Sequence, residues 1–100
     1  MPSVADLVEQ PALENLTGPD AFAAGQDLAD AGDVRLVELG PMRVVAEVAD
    51  GGGSAHVELA SASAQLTWSC DCAEGIAGRA CRHVAAASIE TWRRSPRRRG

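Results

Sequence analysis

The chain predicts an α+β fold: a small antiparallel β-sheet of three to four strands, preceded by a helix and followed by a cysteine-bearing knuckle and a C-terminal helix. Three observations carry this. Between residues 34 and 69, short runs alternate apolar and polar residues, as half-buried strands do, and turn residues separate them. Ala85, Ile89 and Trp92 follow the i, i+4, i+7 spacing of an amphipathic helix, with Arg82, Glu90 and Arg93 towards its other side. Where the two patterns meet, WSCDCAEGIAGRACRH holds every cysteine of the chain and one of its two histidines.

In chain order, residues 3–10 predict a short helix begun by Ser3 and ended before Pro11. Thr17-Gly18-Pro19-Asp20 opens a helix over roughly 20–31 that places Phe22, Gly25, Leu28 and Ala29 on one side, and Gly32 stops it. Val34 to Leu39 is the first strand, closed by Gly40-Pro41. Met42 to Ala49 is the second, with Met42, Val44, Ala46 and Val48 on one face. Asp50-Gly51-Gly52-Gly53 predicts a hairpin turn. In the third run Ala55, Val57 and Leu59 alternate with His56 and Glu58. The fourth, Gln65 to Ser69, brings Leu66 and Trp68 together and leads into Cys70. A helix over about 82–94 completes the order, and there are no internal repeats.

One hundred residues make one small domain, a size at which a metal or disulfide often supplements the core. Aromatic residues are only 3%, and alanine supplies much of the 46% hydrophobic content, so an additional stabiliser is expected. Every basic residue is arginine, which removes Schiff-base chemistry and lysine bases. Residues 1–78 hold 13 Asp/Glu and 2 Arg (−11), residues 79–100 hold 7 Arg and 1 Glu (+6), and the two sum to the net −5. An acidic body with a basic end points to an anionic partner for that end. No segment is apolar enough to span a bilayer, and the N-terminus lacks secretory-signal features, so a cytoplasmic location is expected, with no membrane partner. In a reducing compartment, cysteines serve as metal ligands or catalytic thiols more often than as disulfides.

The cluster reads Cys70-x-Cys72-x8-Cys81-x-His83. Three thiolates and an imidazole are a standard closed set for tetrahedral zinc. At a strand end, residues i and i+2 face the same way, so Cys70 and Cys72 present their sulfurs together. Within a helix, i and i+2 diverge by about 200°, so Cys81 and His83 converge only if Cys81 precedes the helix and His83 lies in its first turn. Gly75 and Gly78 make the intervening loop flexible enough to close. Three thiolates on one divalent ion leave −1, flanked by Arg79 and Arg82. The competing readings are plain buried thiols, a Cys–His nucleophile and base, and a Cys70–Cys72 redox pair. Each is weaker: chance does not gather all three cysteines beside a histidine, i, i+2 neighbours are not the usual catalytic arrangement, and the spacing is C-x-C rather than C-x-x-C.

C-x-C-x(n)-C-x-H between a β-rich segment and a helix resembles the SWIM-type zinc finger. Upstream, Phe22, Gly25, Leu28, Gly32 and Val34, then VVAEV, a glycine turn and AHVEL, resemble the lead-in of small bacterial SWIM proteins, so the likeness covers about residues 20–92. Ala73 stands where many members have proline, and Arg82 where many have lysine; neither is a ligand position. The resemblance implies one structural Zn²⁺ on Cys70, Cys72, Cys81 and His83, no enzymatic activity, no small-molecule substrate, and a role as a DNA-binding or protein-interaction unit. Some members occur beside Snf-type helicase ATPases, which makes such a helicase a candidate partner. The organisation expected is an N-terminal segment 1–17, a SWIM-like zinc-binding domain 18–94 and a flexible basic tail 95–100.

His56 reads as a solvated strand residue, and Trp68 and Trp92 as core. Arg93, Arg94, Arg97, Arg98 and Arg99, joined by Arg79 and Arg82, are the candidate nucleic-acid contacts, since guanidinium suits phosphate well. The alternative function is a protein adaptor that works through the acidic sheet face, with DNA irrelevant.

Overall fold

A computed structural model describes residues 4–8, 10–40, 42–63 and 65–94. It bears out the α+β expectation: helices α1 (Val4–Leu7), α2 (Gln10–Thr17) and α3 (Pro19–Asp30) precede strands β1 (Val34–Leu39), β2 (Arg43–Asp50), β3 (Gly53–Ala62) and β4 (Gln65–Cys70). One-turn helix α4 (Ala73–Ile76) and helix α5 (Arg82–Arg94) follow.

The N-terminal region corrects the first helix. Pro11 lies in the opening turn of α2, where a missing N–H leaves no helical bond unmade, so it begins a helix instead of ending one. Val4, Val8 and Leu13 are buried in the same core cluster as the sheet and α5. Gly18, at φ 87, lets the chain turn directly from α2 into α3, with Pro19 in the first turn. The α3 C-terminus closes as a Schellman motif: Asp33 N–H donates to Leu28 O (3.1 Å) and Gly32 N–H to Ala29 O (3.1 Å), with Gly32 at φ 78.

The four strands form an antiparallel meander in the order β1-β2-β3-β4. Gly51 and Gly52 both have positive φ, as a two-residue type I′ hairpin requires. Register sets the inner face. Val44 pairs with Leu59 and Leu59 with Trp68; Ala46 pairs with Val57 and Val57 with Cys70. Cys70 therefore points inward because Val57 and Ala46 do, and a one-residue slip of β4 would turn its sulfur to solvent. Met42 departs from expectation: it lies in the turn ahead of β2, 38% exposed, and only Val44, Ala46 and Val48 of that set are buried. On β1 the pairing shifts between Leu36 and Glu38, so Val37 is an extra, exposed residue that kinks the edge strand.

The helices stack on the inner face in two layers. α5 packs against all four strands on one side and against α3, α2 and α1 on the other. A helix enclosed this way has little outward surface, and Val84, Ala85, Ala86, Ala87 and Ser88 are all inaccessible. This accounts for the alanine-rich composition: small side chains let a helix sit between two layers at close range. The closest approach is at Gly25, where an added Cβ would lie 2.5 Å from Ala85 Cβ and 2.7 Å from Ala86 N. Trp68 packs against the core as expected. Trp92 does not reach it fully: in the last turn of α5 it is 37% exposed and lines a hollow with Val8, Leu13, Phe22 and Ile89.

Candidate metal centre

Cys70 ends β4, and Cys72 is the N-cap of α4, its backbone extended and its Sγ accepting the Gly75 N–H at 3.3 Å. Between them Asp71 prolongs the β3–β4 ladder: its N–H donates to His56 O (3.3 Å) and its Oδ1 accepts the His56 N–H (2.9 Å). The C-x-C turn is thereby tied to β3 from both sides. The knuckle is more ordered than a flexible loop, since it contains α4. Gly75 serves close approach there, because a Cβ would collide with the carbonyl oxygen of Cys70 and lie 2.7 Å from its Cβ. Gly78 supplies the positive φ, 89°, that returns the chain towards α5.

Cys81 immediately precedes α5, and its carbonyl accepts the Ala85 N–H at 3.1 Å, while His83 occupies the first turn. This is the arrangement that the i, i+2 spacing demanded. The four side chains converge. Cys72 Sγ is 3.4 Å from Cys81 Sγ, His83 Nδ1 is 3.7 Å from both Cys70 Sγ and Cys81 Sγ, and all four donor atoms lie within 4.8 Å of one another. Zn–S bonds of ~2.3 Å and Zn–N bonds of ~2.0–2.1 Å at tetrahedral angles give edges of about 3.6–3.8 Å. The donor set and its dimensions therefore fit one zinc ion.

The local electrostatics set the three thiols apart. Burial pushes the Cys70 thiol up to about 12 and raises Cys81 as well. Burial also acts against Cys72, but the Gly75 N–H and hydrogen bonds from His83, Cys81 and Cys70 outweigh it and bring that thiol down to about 7. Backbone N–H groups of Val84 and His83 point at Cys81, as expected at a helix N-terminus. Two of the three sulfurs thus ionise readily only when a metal supplies the charge. With Cys70 and Cys81 buried, neither sulfur is open to a substrate.

One participant was not anticipated. Asp50, at the end of β2, places Oδ2 2.8 Å from His83 Nε2, and Arg82 donates to the same oxygen from Nε (2.9 Å) and Nη2 (2.6 Å). The hydrogen bond from His83, and then that from Arg82, hold the Asp50 carboxyl below the usual carboxylate range. Asp50 is 33 positions from His83, and in the sequence it is indistinguishable from an ordinary turn residue.

The candidate nucleic-acid contacts separate. Arg79 is exposed on the knuckle. Arg82 binds Asp50, Arg93 pairs with Asp30 (2.8 Å) and Arg94 with Glu90 (2.5 Å). Arg97, Arg98 and Arg99 lie outside the described residues. His56 is exposed on the outer sheet face beside Glu58 (3.3 Å) and takes no part in the cluster. No described helix is long and apolar enough to cross a membrane. No family model, curated protein or solved structure matches the chain.

Proposed function

We propose that the chain is a SWIM-type zinc module without catalytic activity, and that it binds nucleic acid, DNA in the first instance, as an accessory to a larger machine such as a Snf-type helicase. The convergence of Cys70, Cys72, Cys81 and His83 carries the zinc reading. When bound, the ion supplies a fixed crosslink between β4, α4 and α5 and no reaction chemistry, since all four donors belong to the protein. The +6 charge of residues 79–100 supports a phosphate partner. Exposed ion pairs are worth only ~0–1 kcal/mol, so Arg93 exchanges Asp30 for phosphate at little cost, whereas Arg94, itself 63% exposed, would leave a Glu90 carboxylate that is only 12% exposed. Arg82, with two donors on Asp50, serves the interior instead. The contact set then becomes Arg79, Arg93, Arg94, Arg97, Arg98 and Arg99.

The protein-adaptor reading has its own support in Val37, Leu39 and Met42, which expose apolar surface along β1 and the turn after it. Metal analysis followed by a DNA titration across salt concentrations separates the two. The nucleic-acid reading expects one zinc per chain and a linear fall of log K with log salt. Removing residues 95–100 should make that slope shallower by about 2.7, three phosphate contacts at ~0.9 each. DNA binding that is undetectable at low salt, or unaffected by the truncation, would leave the adaptor.

A further inference from the structure

We propose that Asp50 is a positioning residue for the metal centre: it accepts the Nε2 proton of His83, fixes the ring in the tautomer that presents Nδ1 to the ion, and is itself held by Arg82. This rests on the metal-binding reading above and adds a component on a different part of the fold.

An imidazole ligates through a nitrogen that bears no proton, and the partner of the other nitrogen decides which one that is. Here Nδ1 faces the sulfurs of Cys70 and Cys81 at 3.7 Å each, and Nε2 faces Asp50 Oδ2 at 2.8 Å. A carboxylate only accepts, so Nε2 carries the proton and Nδ1 is left bare on the side of the three thiols. The bond also adds a directional restraint on the plane of a ring that is already buried.

Asp50 is well placed for this. It is the last residue of β2 and pairs with Gly53 across the Gly51-Gly52 turn, so its backbone is fixed at the closed end of a hairpin. Three thiolates and a divalent ion leave the centre at −1, and a bare carboxylate beside it would add repulsion. Arg82 offsets that charge by donating twice to the same oxygen that His83 uses. Arg82 and His83 are adjacent in sequence, so both engage Asp50 from the first turn of α5. The β2–β3 hairpin thereby becomes part of a site whose ligands all come from residues 70–83.

The test uses the full chain with Asp50→Ala, Asp50→Asn and Arg82→Gln, measuring zinc affinity by competition with a chromogenic chelator. Asp50→Ala should lose about 10–100-fold in affinity. Asp50→Asn, whose amide oxygen still accepts the Nε2 proton, should lose less, and it preserves the turn should the alanine variant not fold. Arg82→Gln should weaken binding while leaving the tautomer unchanged. The ¹⁵N spectrum of the zinc-loaded wild type should show His83 protonated at Nε2, and zinc should slow amide exchange across residues 48–55. A purely structural turn residue would move neither the tautomer nor that exchange. Wild-type His83 protonated at Nδ1, or Asp50→Ala with undiminished affinity, overturns the proposal and leaves the zinc reading intact. A wild-type protein that takes up no zinc overturns both.

Discussion

Replacing Gly25 by alanine tests the layered packing directly. Ordinary helix propensity says this change should stabilise, by ~1 kcal/mol, because glycine is a poor residue in a helix interior. The structure says the reverse. An added Cβ would stand 2.5 Å from Ala85 Cβ, 2.7 Å from Ala86 N and 2.9 Å from Arg82 O, where ordinary contact begins at 3.4 Å. The nearest contact is short by 0.9 Å (3.4 − 2.5), and two of the three atoms are α5 backbone that no rotamer change can remove. Overpacking of this kind costs ~1–3 kcal/mol, and its upper half applies when backbone must move. After the propensity gain, a net loss of about 1–2 kcal/mol remains. At ~4–8 °C per kcal/mol for a domain of this size, the melting temperature should fall by about 4–16 °C. The assay is thermal denaturation by circular dichroism at one fixed free zinc concentration, since bound metal itself shifts apparent stability. Ala23→Gly, at an exposed position of α3, is the control and should cost ~1 kcal/mol by propensity alone. Because Arg82 O is one of the displaced atoms, zinc affinity should fall too. A Gly25→Ala protein that melts at or above wild type would falsify the close-packed α3–α5 interface.

Other outcomes follow from the same structure. Gly75→Ala should drive α4 away from Cys70 and reduce zinc affinity by on the order of tenfold, measured by chelator competition; unchanged affinity would mean that α4 does not pack against the strand end. Ser88 is fully buried with its hydroxyl unpartnered, so Ser88→Ala should raise stability by about 1 kcal/mol in a denaturant titration, and a loss would reveal a partner for that oxygen. Zinc retention should weaken as pH falls. Above about pH 7 Cys72 is already a thiolate, so zinc displaces protons mainly from Cys70 and Cys81, and log K should rise by about two per pH unit; below it Cys72 must also be deprotonated and the slope should approach about three. A slope that stays at three up to pH 8 would contradict the lowered Cys72.

Much of this was legible because the determining interactions are local. Alternation placed the strands, the Asp50-Gly51-Gly52-Gly53 run placed the β2–β3 turn, and i, i+2 geometry required Cys81 before a helix and His83 inside it. What escaped depends on contacts distant in sequence. Asp50 acquires its role only when the hairpin folds against α5. Pro11 suits a helix start as well as it suits a helix end, and the choice fell to burial of Val8 and Leu13 on either side of it. The shift at Val37 alters pairing without altering hydrophobic pattern. Trp92 satisfies the helical stripe, but its exposure depends on how far the covering helices extend. Arg82 looked like surface charge for the same reason, since its carboxylate partner is a turn residue on β2.

α5 follows every other described element in chain order, yet it lies in the middle of the stack. A nascent chain that has emerged only as far as the knuckle lacks the helix that fills the space between most of the sheet's inner face and the first three helices. It also has two of the four metal donors. Synthesis of the stretch from Cys81 through α5 therefore completes the interior and the coordination sphere together, which couples metal capture to the arrival of a single helix.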